Sequence, residues 1–393
     1  MAMRPIALSI LLVLSMSVFC ASSSELILSD QCPASFEKTA QGTCQLRTLY
    51  DFYDSPADHG GLRARLPQVT RNYTPQQIDL GRYLFFDPVL SAKQDMACAS
   101  CHQPSKGLAD GRARALGARQ PDGRRTELPR GAPALWNVAF LQRLMWDGSA
   151  ADLASQAQRP LFAPQEMGNT AQHLETSLNQ IPEYRALFEQ AFGRPPSVET
   201  VTEALAAFQS SLVSFNSRYD RYVHGDTEAI NAQEVRGYNI FRGFVARCSQ
   251  CHVPPLFTDS ELAVIGAPNA ADGAFDAGAG STSKDPNLLG AFRVPTLRNI
   301  TRSAPYFHAG QFKTLGEVVH FYNDTRGHAA PKDAPLKLHW QIHMTRGPQL
   351  SLEEEHDIVA FLNTLEDELM LPAIPAAVPS GLPVTTDLNP ESL

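Results

Sequence analysis

Basic clusters are missing from this 393-residue chain: acids outnumber bases 41 to 33, and the net charge is −8. No basic stripe interleaved with aromatics occurs, which sets nucleic acid aside as a partner. Long apolar runs are scarce. One opens the chain, over residues 5–19, and it is too short for a convincing membrane span. Histidine is absent from residues 103–172, where Met145 and Met167 are the methionines. Cysteine is sparse as well, seven in all.

What is present begins with Arg4, then the apolar run, then small residues. That order is a secretory signal, expected over 1–22 with cleavage near Ala21 or Ser22. Phe19 before Cys20 fits a lipoprotein site poorly. Loss of the signal removes Arg4 and no acid, leaving a charge near −9. Cys32 and Cys44 form a natural pair that an oxidising compartment, here the periplasm, would join as a disulfide. Closing so short a loop would stabilise the N-terminal extension by roughly 3 kcal/mol.

Four cysteines lie in Cys98-Ala99-Ser100-Cys101-His102 and Cys248-Ser249-Gln250-Cys251-His252. Two thiols three apart can add across the two vinyl groups of a haem, and the histidine that follows can bind the iron. A zinc site would need a further ligand pair of matching kind close by, which is absent. Each motif has a helical preface. Thr74-Pro75-Gln76-Gln77 reads as a helix start before Ile78, Leu80, Leu84 and Phe85, ending ahead of Pro88. Asn231-Ala232-Gln233-Glu234 is a capping box before Val235, Tyr238, Ile240 and Phe241. The repetition predicts a mostly α fold of two cytochrome c-like domains, each binding one covalent c-type haem.

The expected order is a signal over 1–22, an extension over 23–73, domains over 74–230 and 231–370, and a loose Pro/Ala-rich tail over 371–393. Ser197 opens a helix with Val201, Leu205, Phe208, Leu212 and Phe215 on one face. Residues 266–290 are rich in Gly, Ala, Asp and Ser and read as a long loop. Ser351-Leu352-Glu353-Glu354 caps a last helix.

A haem iron with protein ligands on both sides transfers electrons; one with an open side can bind peroxide. The histidine-free stretch after His102 points to an open face at the first haem. Opposite His252, the residues leave His308, His320, Tyr322, His328, His339, His343 and Met344 in play, and chemistry alone favours a His or Met.

At this point the chain resembles the bacterial di-haem cytochrome c peroxidases and MauG, over roughly residues 74–368. The resemblance is carried by both haem motifs, Ala132-Pro133-Ala134-Leu135-Trp136-Asn137, Trp146-Asp147-Gly148, Gln156, Pro160 and Glu166-Met167. Phe292-Arg293-Val294-Pro295-Thr296-Leu297-Arg298-Asn299 and Ala304-Pro305-Tyr306-Phe307-His308 complete it. It implies that Trp146 relays electrons between haems, Glu166 is the acid/base for hydrogen peroxide and Gln156 orders peroxide beside it. It also implies that Tyr322 is the second ligand opposite His252, where the peroxidases carry methionine and MauG-like members tyrosine. Two versions of the function remain: oxidation of a small redox protein, or MauG-like oxidation of an amino acid on a protein substrate. A plain electron-transfer cytochrome is the rival class.

Departures are informative. The family's distal histidine has no counterpart at Gly123-Arg124-Arg125. Ser149 replaces an arginine common after Trp-Asp-Gly. An inter-domain calcium ion is also implied, but its asparagine ligand is Gly131 here, while Ser303 and Pro305 match the positions that offer carbonyl oxygens.

Overall fold

The computed structural model describes residues 26–54, 69, 71–324, 336–339, 347–367 and 371–388. The expected signal, His328, His343 and Met344 lie outside the described residues. The molecule is mainly helical, with short two-stranded antiparallel sheets.

The N-terminal extension forms β1 (Phe36–Lys38) and β2 (Cys44–Leu46), then α1 (Leu49–Tyr53). Cys32 and Cys44 are joined as a disulfide. Leu28 sinks into the first core, while Leu49 packs with Phe140, Phe215 and Leu256.

Helix α2 (Pro75–Phe86) starts where its capping chemistry dictates: the Thr74 hydroxyl accepts from the Gln77 N–H, and the Gln77 amide oxygen accepts from the Thr74 N–H. Next come α3 (Cys98–Cys101), β3 (Leu116–Arg119) paired with β4 (Arg125–Glu127), and α4 (Leu153–Phe162). Helices α5 (Ala171–Gln180), α6 (Pro182–Phe192) and α7 (Val198–Ser210) complete the first core. Helix α7 stops at Ser210, so the expected stripe breaks there; Leu212 and Phe215 are buried from an extended segment beyond it.

The second half runs through α8 (Arg218–Val223), α9 (Ala232–Arg242), β5 (Leu262–Val264), α10 (Ala279–Ser283), β6 (Ala291–Arg293), α11 (Leu315–Asp324) and α12 (Leu352–Asn363). Asn231 and Glu234 cap α9 reciprocally, as Ser351 and Glu354 cap α12. The stretch over 266–290, expected as loop, holds the short α10, and β5 pairs with β6 across it.

The most extensive helix packing in each half is that of α2 on α7 and of α9 on α12. Glycine makes both possible. A Cβ on Gly81 would stand 1.9 Å from the Ala204 carbonyl oxygen, and one on Gly237 would stand 1.8 Å from that of Asp357. Around the first crossing lie Leu84, Phe85, Phe188, Leu205 and Phe208; around the second, Tyr219, Tyr238, Phe241, Phe257 and Phe361. Burying each such side chain stabilises the fold by about 1.5–3 kcal/mol.

The expected loose tail is not loose over its described part. Val378 and Leu388 are buried in the first core, the Ser380 hydroxyl donates to Asp87 at 2.7 Å, and the Gln103 amide donates to Asp387 at 3.1 Å. A few widely spaced apolar side chains anchor a segment whose average composition is that of a linker.

Candidate active site

The first Cys-x-x-Cys-His motif is an α-helical turn and the second a 3-10 turn, but both hold their histidine in the same way. His102 ends α3, and its Nδ1 lies 3.0 Å from the carbonyl oxygen of Leu108. His252 repeats this, with Nδ1 3.1 Å from the carbonyl of Phe257. The accepting residues, Leu108 and Phe257, both have positive φ, 61° and 54°, which turns their carbonyls back at the rings. A donor hydrogen on Nδ1 leaves the Nε2 lone pair for a metal. Burial lowers the pKa of both imidazoles, which favours their neutral forms.

The four thiols are unbridged. Burial pushes Cys98 and Cys248 up to about 12 and Cys251 to about 11, and it raises Cys101 as well. In the first core, Trp136 Nε1 and Arg125 Nε are buried N–H donors without a partner. A haem carries two carboxylates, so paired thiols, neutral histidines and spare donors fit it.

A cavity of about 270 Å³ reaches from the second motif to the first half. Cys248, Cys251, His252 and Tyr322 line it at one end, and Trp146, Gly131 and Pro133 at the other. Tyr322 on α11 shares the cavity lining with Cys251 and Cys248, and burial pushes its phenol well above the ordinary range. Of the other expected ligand candidates, His308 and His339 also line the cavity. His320 instead meets Glu355 at 3.1 Å.

Trp146 stands on a turn entered by Met145 at φ 68° and left by Gly148 at φ 67°. Its indole Nε1 donates to the Gly131 carbonyl at 2.8 Å, and its own carbonyl accepts from the Arg293 N–H at 2.7 Å. Gln156 on α4 reaches the same turn, its amide 3.6 Å from the Met145 sulfur. Pro160 lies within α4, and its carbonyl accepts from the Met167 N–H, folding the following turn back. Glu166 sits on that turn. It lines a smaller cavity with Asp95, Met96 and Met167, rather than the large one. Burial raises its pKa above the ordinary carboxylate value, and its charge acts on Cys101. Arg125, in the stretch without the expected histidine, is buried and paired with Asp95 at 3.1 Å.

Ser303 and Pro305 line the large cavity near Gly131. Sequence reading missed what occupies this junction. Arg130 is held by Asp276 at 2.7 Å and by Asp147 at 3.2 Å, and lies over the Phe292 ring. Phe292 stacks on His308 with centroids 3.9 Å apart. The signal available was the twice-used Pro-x-Leu-x-Asn run at Pro133 and Pro295, which marks both as copies of one junction.

A family model described as di-haem cytochrome c peroxidase matches residues 75–228. The methylamine utilization protein MauG of Methylorubrum extorquens is 36% identical over 333 residues, covering 82% of this chain and 90% of that one. The cytochrome c551 peroxidase of Nitrosomonas europaea is 33% identical, covering 81% and 90%. Among solved structures, a MauG-like protein associated with microbial copper homeostasis matches with a TM-score of 0.69 at 29% identity, covering 81% of this chain and 97% of its own. The diheme peroxidase BthA of Burkholderia thailandensis matches with a TM-score of 0.66 at 27% identity, covering 82% and 99%.

Proposed function

This chain belongs to the di-haem cytochrome c peroxidase family that includes MauG and is a peroxidase-type oxidoreductase; from that premise we propose that it reduces hydrogen peroxide at the first haem site and draws the electrons from a partner protein through the second. Cys98, Cys101 and His102 would hold one covalent c-type haem, and Cys248, Cys251 and His252 the other, each within its own cytochrome c-like domain. When bound, the haems supply the redox centres at which hydrogen peroxide takes up two electrons and two protons and leaves as two waters.

The protein's share is proton handling, ordering and electron passage. Glu166 takes the proton from one peroxide oxygen and returns it to the departing one. A carboxyl raised by burial serves both directions better than an ordinary one. Gln156 orders peroxide and water through its amide. Trp146, fixed at both its indole N–H and its carbonyl, gives electrons a path between the two sites.

The observation that carries the MauG-like version is Tyr322, which shares the large cavity with His252. Burial alone favours the neutral phenol, so the positive charge of a bound iron would have to hold Tyr322 as a phenolate; so held, it would favour oxidised iron and make the second haem hard to reduce. That suits withdrawal of electrons from an amino-acid side chain of a protein substrate better than storage of an electron from a small redox protein. A docking place is at hand: Phe244, Val245 and Val253 are 79%, 58% and 41% exposed beside Cys248 and His252. The Cys32–Cys44 disulfide supports a periplasmic location.

Spectroelectrochemical titration of the haem-loaded wild type against Tyr322→Phe tests this reading. The wild type should show no high-potential haem, and the variant should titrate differently at one haem. Identical titrations would remove Tyr322 as the ligand.

A further inference from the structure

We propose that Arg130 takes the place of a bridging metal ion at the junction of the two halves, and that its guanidinium acts as a clasp positioning Trp146.

Arg130 Nε donates to Asp276 Oδ2 at 2.7 Å and Nη2 donates to Asp276 Oδ1 at 2.9 Å, a two-pronged pair. Its Nη1 donates to Asp147 Oδ2 at 3.2 Å. Asp147 follows Trp146 and also accepts from the Ser149 N–H at 3.1 Å, so the guanidinium grips the relay turn itself. Asp276 comes from the second half, between β5 and β6, and Phe292 from β6 itself, its ring 5.5 Å from the guanidinium carbon. The next residue completes the clasp: the Gly131 carbonyl accepts from the Trp146 indole, and the Gly131 N–H donates to the His308 carbonyl at 2.8 Å. The three charged side chains are 11–21% exposed, so water screens them weakly.

Calcium does not fit these donors. It takes six to eight oxygens, and the position expected to supply an asparagine oxygen is Gly131, which has no side chain. A Cβ there would lie 3.1 Å from the Ala113 carbonyl oxygen and 3.2 Å from that of Arg112, so a larger residue is crowded. Asp147 and Asp276 are both paired with Arg130. A guanidinium is a permanent cation whose fork matches a carboxylate, and it does the bridging without a metal.

The clasp stands on these contacts alone; only its effect on electron exchange rests on the proposed relay role of Trp146. The test uses the full haem-loaded chain. Metal analysis should find no stoichiometric calcium, and neither EDTA nor added calcium should move the haem spectrum or melting temperature. Arg130→Gln and Asp276→Asn should each shift the ultraviolet resonance Raman hydrogen-bond marker of the Trp146 indole, assigned by its loss in Trp146→Phe. Both should slow electron exchange between haems by about tenfold or more while two haems stay bound. Arg130→Lys, keeping charge but not the fork, should fall between. If Arg130→Gln does not fold, Asp276→Asn carries the test. Stoichiometric calcium whose removal changes the spectrum, or an indole marker unmoved in the variants, overturns the clasp. A shifted marker with unchanged electron exchange supports the clasp and sinks the relay reading instead.

Discussion

Trp146 and His308 occupy the same place in two copies of one turn. Each follows a residue of positive φ, Met145 at 68° and Phe307 at 67°, and each is followed two residues later by a glycine of positive φ. Leu144 bridges Ala150 across the first turn, and Tyr306 bridges Phe312 across the second. The copies hold one another reciprocally. Arg293, two before Pro295, donates its N–H to the Trp146 carbonyl, while Gly131, two before Pro133, donates to that of His308. The aromatic residue of each copy therefore sits at the wall of the shared cavity, an indole from one half and an imidazole from the other.

The imidazole should tie stability to acid. Burial pushes His308 down to about 4; the nearby Asp276 opposes this, and Arg130 and Arg114 add to it. The unfolded chain then binds this proton more readily than the folded one. Stability is complete above about 6.5 and is lost as pH falls from there toward 4, at up to about 1.4 kcal/mol per pH unit. His308→Phe keeps a ring against Phe292 and removes the titration. Melting curves of the two proteins between those limits should diverge, with the variant losing less. Parallel curves would refute the assignment.

A second expectation concerns the buried pair Arg298–Asp220. The Arg298 side chain is fully buried, and its Nη2 donates to Asp220 Oδ1 at 2.8 Å. Its Nε donates to the Pro255 carbonyl, in the loop after His252. Asp220→Ala leaves a buried guanidinium without a counter-charge, at a cost of about 3–5 kcal/mol. Urea unfolding of the haem-loaded proteins measures it. A loss below 1 kcal/mol, roughly that of a surface pair, would show that water reaches the site.

Local chemistry made much of this legible from sequence. Capping boxes at Thr74, Asn231 and Ser351 mark helix starts because their partners lie three residues away. The two Cys-x-x-Cys-His runs are equally local. What stayed hidden depends on distant partners. Arg130 meets Asp276 across 146 positions, and nothing near either residue announces the other. The stripe of α7 was overextended because Leu212 and Phe215 keep an apolar spacing after the helix has ended. The tail misled for the opposite reason. Its composition is that of a linker, yet Ser380 finds Asp87, 293 residues earlier, and Val378 finds the core.

Glu166→Gln isolates the proton. It preserves size and hydrogen bonding but removes the proposed acid/base, a change that should be worth about 10²–10⁴ in rate. Because burial raises its pKa, the rise of the wild-type rate with pH should lie above the ordinary carboxylate range. Stopped-flow mixing with peroxide across pH should show that limb, and the variant should lack it. An unchanged rate with two haems bound would make Glu166 a bystander of the turn after α4.

Trp146→Phe separates the two sites. Phenylalanine keeps an aromatic ring in the same turn, but it is far harder to oxidise and has no N–H for the Gly131 carbonyl. Losing that hydrogen bond and leaving its acceptor unmet costs about 1–3 kcal/mol, which a protein of this size survives with both haems attached. Glu166, the proposed acid/base, lies on another turn and lines another cavity, so the first encounter with peroxide should keep its rate. If Trp146 is the proposed relay, passage of electrons from the proposed His252 and Tyr322 site should slow, because the replacement ring does not give up an electron readily. Double-mixing stopped flow reads the two events apart: peroxide first, then a reductant, with haem absorption followed throughout. The expected result is a first phase like the wild type and a second phase slowed by at least the tenfold expected of the loosened clasp. Two unchanged phases would make Trp146 a packing residue, and the path between the haem sites would then have to run through the Phe292–His308 stack of the other copy.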